Sequence, residues 1–470
     1  MKRTEIVNRT LIARATEEAT AYLEALPDRY VGARTTREEL LASLRRPLSD
    51  GGEDAVGVFD AIAAQGEGGT LACAGPRYFG FVIGGSLPVA LATDWLVSTW
   101  DQNPGIYVTS PAISVMEEVA REWLLDLLDL PRESGLGFVT GCQMAHFTAL
   151  AAARHGVLRR AGWNVEEDGL AGGPRVHVVT GAEAHITVDV AMRYLGFGTK
   201  ALHRVETDEQ GRMRADALQK KVESLPEGPM IIIAQAGNVN TGAVDPLREI
   251  AAIAKKRGAW MHVDGAFGLW ARASRALRPR VDGIELADSW ATDAHKWLNV
   301  PYDCGIAIVR DAEDHRAAMT SVAAYLVQTA GAERDAVDWV PEFSRRGRGM
   351  PVYAALRSLG REGVEALIDR NCAHARQMAA RLREVKGVEI LTEVVLNQVL
   401  VRFGGDDETT RRVIAGVQQE GTCWLGGTTW HDVAAMRISF SNWATSEEDV
   451  ERSSDAIVKV YRGVDESTSR

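Results

Sequence analysis

The sequence predicts an α/β protein: a mainly parallel sheet flanked by helices, preceded by a helical segment and followed by a smaller α+β unit. Three observations predict it. Between about residues 136 and 310, short apolar runs alternate with helical stretches, the pattern of crossover units joining parallel strands. Beyond that region, strand-like and helix-like stretches are mixed. The chain of 470 residues is long enough to bury a large core.

The elements follow in order. Residues 1–30 read as helix, because Ile6, Leu11, Ile12, Ala15, Ala19 and Leu23 recur at three-to-four spacing. The stretch SDGGEDAV, 48–55, is a loop rich in Gly and Asp. A long amphipathic helix is expected over 111–129, ending before Pro131. The strand GFVTG (137–141) leads into a helix from Met144. VHVVTG (176–181) is a strand, followed by the helix ITVDVAMRYLG. MIIIAQAG (230–237) is a buried strand, and PLREIAAIAKKRG is a helix ending at Gly258. WMHVDGA (260–266) and CGIAIVR (304–310) are strands, and 353–384 is helical. The strands VEILTE, NQVLVRF and AMRISFS then mix with helices over 410–420 and 446–462.

Charge and composition exclude some functions. Lys and Arg number 53 against 64 Asp and Glu, a net charge of −11, so a general coat for nucleic acid is not expected. No apolar run reaches the ~18 residues of a membrane helix. Glu5, Arg9 and Arg14 stand where a signal peptide needs apolar residues. Five cysteines without CxxC spacing predict reduced thiols and a cytoplasmic location.

One motif is a decoy. Gly196-Phe197-Gly198-Thr199-Lys200-Ala201 fits GxGxxA, but it follows a helix and precedes a strand. A dinucleotide site needs the opposite order.

Asp293-Ala294-His295-Lys296-Trp297 is the strongest local signal. It lies in a turn-like stretch between ADSW and the strand CGIAIV. A desolvated lysine has a lowered pKa and attacks carbonyls, whereas a surface lysine beside a packed tryptophan does nothing. Upstream, Asp264 ends a buried strand, where an open parallel sheet binds ligands. A carboxylate facing a protonated pyridine nitrogen, with a lysine forming a Schiff base, is the apparatus of pyridoxal 5′-phosphate. Asp264 would serve equally as a helix N-cap. Thr140-Gly141-Cys142-Gln143 lies between a strand and a helix, where helix amides bind phosphate. His185 follows a strand and could stack on a flat cofactor, although a histidine in such a turn is often structural.

With these motifs on the page, the sequence resembles the group II pyridoxal-phosphate-dependent amino-acid decarboxylases, the family of aromatic-L-amino-acid and glutamate decarboxylases. The similarity runs from about Pro76 to Thr445. It is carried by PRYFGFVIGGSLPVALATDWL, VTGCQMAHFTALAAAR, HVDGAFG, ADSWATDAHKWL, SRRGRG and MRISFSNWAT. The resemblance implies the fold called type I among pyridoxal enzymes, with a seven-stranded, mostly parallel sheet. It implies an N-terminal helical segment over 1–75 packed on a partner subunit, a large cofactor domain over 76–340 and a small domain over 341–470.

It also implies a role for each matched residue. Lys296 holds pyridoxal 5′-phosphate through its amine. Asp264 pairs with the pyridine nitrogen. Ala266 packs on one ring face and His185 stacks on the other. Gly141, Cys142, Gln143, Ser289 and His295 match phosphate-binding positions. Asn238 and Asn240 approach the ring. Tyr325 matches a catalytic tyrosine that protonates the substrate carbon from a mobile loop at a dimer interface. Phe81 and Tyr107 match the pocket wall, with Trp424 and Trp430 as weaker matches. Arg437, in MRIS, matches an arginine that meets a carboxylate in many relatives.

The sequence departs from the family in three places. Asp293 stands where the aromatic enzymes have Asn, the turn GCQMAH lacks the usual small residues followed by EA, and Pro351 replaces a lysine. The implied activity is decarboxylation of an L-amino acid, aromatic favoured, to its amine and CO2 by a homodimer with shared active sites. No metal and no membrane or nucleic-acid partner is expected. An aminotransferase, lyase or decarboxylating oxidase, or a decarboxylase for acidic or aliphatic amino acids, is the alternative.

Overall fold

The computed structural model describes residues 8–320 and 333–468. Seven strands form the main sheet: β1 (Gly135–Val139), β2 (His177–Gly181), β3 (Leu202–Val205), β4 (Met230–Gln235), β5 (Trp260–Asp264), β6 (Ser289–Asp293) and β7 (Gly305–Val309). Their spatial order is β1-β7-β6-β5-β4-β2-β3. β7 runs antiparallel to both of its neighbours, and the other neighbouring pairs are parallel. The mostly parallel seven-stranded sheet is as expected.

Both faces are covered, which explains the unbroken apolar run of β4. Ile231 and Ile233 enter a cluster with Ala149, Leu150 and Val157 of the helix Cys142–Arg160. Ile232 and Ala234 point the other way, into a cluster with Leu247 and Ile250 of the helix Leu247–Arg257 and Val352 and Ala355 of the helix Gly349–Arg383. Strand side chains alternate, so a strand buried on both faces must be apolar throughout.

Four further strands, β8 (Val388–Ile390), β9 (Gln398–Phe403), β10 (Gly426–Trp430) and β11 (Val433–Ser439), form a second sheet in the order β10-β11-β9-β8. Its core gathers Val399, Val401, Phe403, Met436 and Ile438 with Val413 and Val417 of the helix Asp407–Glu420. The helix Gly349–Arg383 serves both cores, with Ile368 and Cys372 in the first and Ala375 and Met378 in the second. It kinks at Gly360, where φ is 61°. Before the main sheet come the helices Arg9–Ala25, Arg37–Leu44 and Ala55–Glu67.

Two differences from the sequence reading bear on the site. The residues before the lysine are a strand, β6, and the turn begins only at Ala294. The helix expected from Met144 starts two residues earlier, at Cys142, with Gly141 as its N-cap. Gly196 and Gly198 have positive φ between a helix and β3, so the GxGxxA stretch is a helix exit. Among the described residues, no helix is long and apolar enough to cross a membrane.

Candidate active site

The site lies at the C-terminal ends of β4, β5 and β6. The register pairs Gln235 with Asp264 and Asp264 with Ala291, so three strands end side by side. Asp264 is buried, with 4% exposure. Its Oδ1 accepts the Ala266 N–H at 3.1 Å and faces the Cys142 thiol at 3.9 Å. Its Oδ2 is 3.5 Å from His146 Nε2. Burial works against the charge, but His146, His185 and the Ala266 amide outweigh it and hold the carboxyl below its ordinary range.

Lys296 lies on the turn after β6. Its side chain is 20% exposed, and its Nζ is 3.0 Å from Asp293 Oδ2. The sequence alone suggested a lysine whose pKa is lowered by burial. Burial does push it down, but Asp293, then Cys142 and Asp264, pull the other way and the ammonium ends above its ordinary range. The departure from the family at 293 is therefore the group that reverses the expectation. Asp293 also accepts the Cys142 N–H at 2.6 Å.

His185 caps the helix Ile186–Tyr194, with Nδ1 2.9 Å from Thr187 Oγ1. Burial lowers its pKa, against the pull of Asp264. Asn238 ties this loop down: its amide donates to the Glu183 carbonyl at 3.4 Å and to Gln235 Oε1 at 3.1 Å. Gly141 and His295 meet, since a Cβ on Gly141 would stand 3.3 Å from His295 Cε1. Gln143 is half-buried in the first helical turn beside them. Ala266 packs with Val139, Cys142 and Ala291 next to Asp264.

Several expected residues stand elsewhere. Ser289 is not at a phosphate position. It opens β6, opposite His262, and its hydroxyl is fully buried against Trp260 and His262. The Cys142 side chain points at Asp264 and His146 rather than toward His295. Asn240 turns toward the second sheet, where its Oδ1 accepts the Thr428 hydroxyl at 3.1 Å. Tyr107 packs by the 333–338 stretch, its N–H donating to Asp335 Oδ1 at 2.7 Å. Among the described residues no hydrogen bond or ring contact joins it to Lys296. Trp430 is buried against Leu400 and Ala435. Tyr325 lies outside the described residues.

A strap over 80–87 crosses the lysine turn. A Cβ on Gly84 would fall 1.7 Å from the Lys296 carbonyl oxygen, so only glycine permits this approach. Phe81, three residues earlier, has φ 53° and is 61% exposed. Its ring leans on Trp424 at 5.6 Å, and Trp424 stacks on Tyr78 at 5.0 Å. Arg437 on β11 lies opposite Gly426, a position without a side chain, and its charge reaches His185.

The sequence did not single out Asn299. Its amide donates to the carbonyls of Trp297 at 3.0 Å and Ser441 at 2.9 Å, and its Oδ1 accepts the Trp443 N–H at 2.8 Å. It pins the lysine turn to the second sheet's loop. Its φ of 57° is a conformation asparagine tolerates, and nothing in the sequence around it signals that role.

A lysine, a buried carboxylate and a histidine around one strand edge define an enzyme of the pyridoxal-phosphate class. The residues fit the group: Asp264 suits a protonated nitrogen, and the glycine-capped N-terminus of a 19-residue helix suits a phosphate.

Residues 69–403 match the pyridoxal-dependent decarboxylase conserved domain, and the chain belongs to that family. It is 28% identical to an aromatic-L-amino-acid decarboxylase from Bacillus atrophaeus over 80% of this chain and 79% of that one. It is 30% identical to an L-2,4-diaminobutyrate decarboxylase from Rhizobium meliloti (strain 1021) over 81% and 77%. The fold matches a crystal structure of Oryza sativa TDC with PLP and tryptamine, at TM-score 0.90 and 23% identity over 97% of both chains. The cofactor is pyridoxal 5′-phosphate, and the protein is a carboxy-lyase acting on an amino acid.

Proposed function

We propose that the substrate is an aromatic L-amino acid, converted to its amine and CO2. The observation that carries this reading is the aromatic group on the strap whose Gly84 crosses the Lys296 turn: Trp424 stacks on Tyr78, and Phe81 is tilted against Trp424. Aromatic walls favour flat apolar side chains.

The residues divide the work. When bound, pyridoxal phosphate supplies an electron sink for the pair left on Cα as CO2 departs. Lys296 gives up its proton to become the amine that anchors the cofactor. Asp264 holds a proton on the pyridine nitrogen. His185 would cover one face of the ring and Ala266 the other. Gly141, Gln143 and His295 hold the phosphate at the helix N-terminus. Asn238 fixes the His185 loop. Tyr325 gives the proton that Cα gains.

A second reading has one observation in its favour. Arg437 is a half-buried cation whose pKa burial lowers. A cation holding the departing carboxylate would stabilise the ground state and slow the reaction. Arg437 facing a second carboxylate would instead select an acidic amino acid. A panel of Tyr, Trp, Dopa, Glu, Asp and 2,4-diaminobutyrate, scored for amine and CO2, separates the two. Aromatic preference is expected, and preference for Glu or Asp would replace it with the second reading.

We propose a homodimer as well. Trp95, Leu96 and Trp100 leave the helix Pro88–Trp100 with large apolar side chains exposed on one protomer, and Leu48 and Ile62 are exposed as well; exposed apolar surface of this kind favours association. Light scattering at micromolar concentration should give twice the chain mass.

A further inference from the structure

Trp260, His262 and Asp264 alternate along β5 and so share the face under the helix Cys142–Arg160. From Asp264 a line of polar groups runs back under the sheet. His146 Nε2 is 3.5 Å from Asp264 Oδ2. His146 Nδ1 is 3.0 Å from His262 Nε2. His262 Nδ1 is 2.8 Å from Ser289 Oγ, and Trp260 Nε1–H donates to that same Oγ at 2.8 Å. His146, His262 and Ser289 have no exposed surface.

With one N–H on each imidazole, the carboxylate end fixes every direction along the line. An indole N–H can only donate, and a carboxylate can only accept. Ser289 therefore accepts from Trp260 and donates to His262 Nδ1. His262 donates from Nε2 to His146 Nδ1, and His146 presents its Nε2–H to Asp264. This arrangement gives each polar atom along the line a partner. Burial favours the neutral state at His262, whose pKa lies well below the ordinary value.

We propose that the chain Trp260–Ser289–His262–His146 positions Asp264 and delivers a polarised donor to it, keeping it a carboxylate reserved for the cofactor's pyridine nitrogen. The four are positioning residues and touch neither cofactor nor substrate. The Nε2–H of His146 supports the negative charge, and the pyridinium is the cation that Asp264 pairs with. Cys142, the other group facing His146, keeps its proton because burial, Asp293 and Asp264 all raise its pKa. Cys142, His146 and Asp264 also lie within 4.8 Å of one another, as metal ligands would. A cation there would take the oxygens that the pyridine nitrogen needs, so the cluster serves the cofactor instead. The inference rests on the cofactor and is independent of the substrate.

The test uses holoenzyme loaded with pyridoxal phosphate carrying an isotope-labelled pyridine nitrogen, with that nitrogen's NMR resonance and the cofactor Kd as readouts. His146→Leu should move the resonance toward the unprotonated position and weaken cofactor binding about tenfold, the size of one lost hydrogen bond to a charged group. His146→Gln, which retains a donor, should recover most of both. Ser289→Ala should shift both in the same sense by about two- to threefold, since it acts two links away. A His146→Leu enzyme with unchanged resonance and Kd overturns the proposal. If that variant does not fold, Ser289→Ala decides by the same readouts, and no change there overturns it equally. If the unchanged protein captures no cofactor, the cofactor assignment falls and takes this proposal with it.

Discussion

Asp264 and Phe81, both matched to the site by the family resemblance, are built in opposite ways. Asp264 is 4% exposed, at the end of a strand buried on both faces, with its partners drawn from the following loop and from a helix. Phe81 is 61% exposed, on a strap with positive φ, and among the described residues its one ring contact is Trp424. The floor of the site is held rigidly by the fold, while its mouth is a surface that packing does not dictate. Chemistry shared by a family resides in the floor, and substrate choice resides in the mouth. The relatives fit that division, since they include an aromatic and a diaminobutyrate decarboxylase at 28% and 30% identity.

Four substitutions break or sharpen the contrast. Lys296→Ala removes the amine itself. Turnover should fall by at least about 10³-fold, and borohydride reduction should fix no cofactor to the chain when read by mass spectrometry. Asp264→Asn keeps the shape and removes the charge. It should reduce turnover by about 10²- to 10³-fold, the scale of losing one group that stabilises charge in the transition state, with a smaller effect on substrate KM.

Asp293→Asn tests the electrostatics of the floor by pH. Capture of the cofactor needs the neutral amine, and Asp293 raises the Lys296 pKa. Capture by the unchanged protein should therefore accelerate as pH rises. In the Asn variant the amine loses its proton more easily, so the same acceleration should begin at lower pH. Stopped-flow rates across pH measure it, and coincident profiles would show that Asp293 does not control the lysine. Phe81→Ala probes the mouth. KM for an aromatic substrate should rise about five- to tenfold, in line with one lost aromatic contact, while thermal stability and cofactor Kd stay as before. A loss of cofactor instead would mean that the strap belongs to the floor.

The same division governs how much was legible in the sequence. The sheet was readable because β4 and β5 are apolar runs bounded by turns, and β7 was readable for the same reason. β6 escaped notice because Ser289, Thr292 and Asp293 interrupt it, although all three are buried. Lys296, Asp264 and His185 each stand in a family motif, and all three lie at the ends of neighbouring strands of one sheet. Ser289 was misplaced because the motif shows that a serine precedes the lysine, but not which end of the strand it occupies. Asn240 was misplaced because its partner, Thr428, is far away in the chain. His146 passed unremarked because a histidine one turn into a helix signals nothing until the helix lies over His262.

The most direct test of the central claim is a product balance under limited oxygen, using a carboxyl-labelled aromatic amino acid and cofactor-loaded protein. Labelled CO2 and the corresponding amine should appear in equal amounts, with no oxygen consumed and no pyridoxamine phosphate left behind. Aldehyde formed with oxygen uptake, or pyridoxamine phosphate accumulating without CO2, would contradict it.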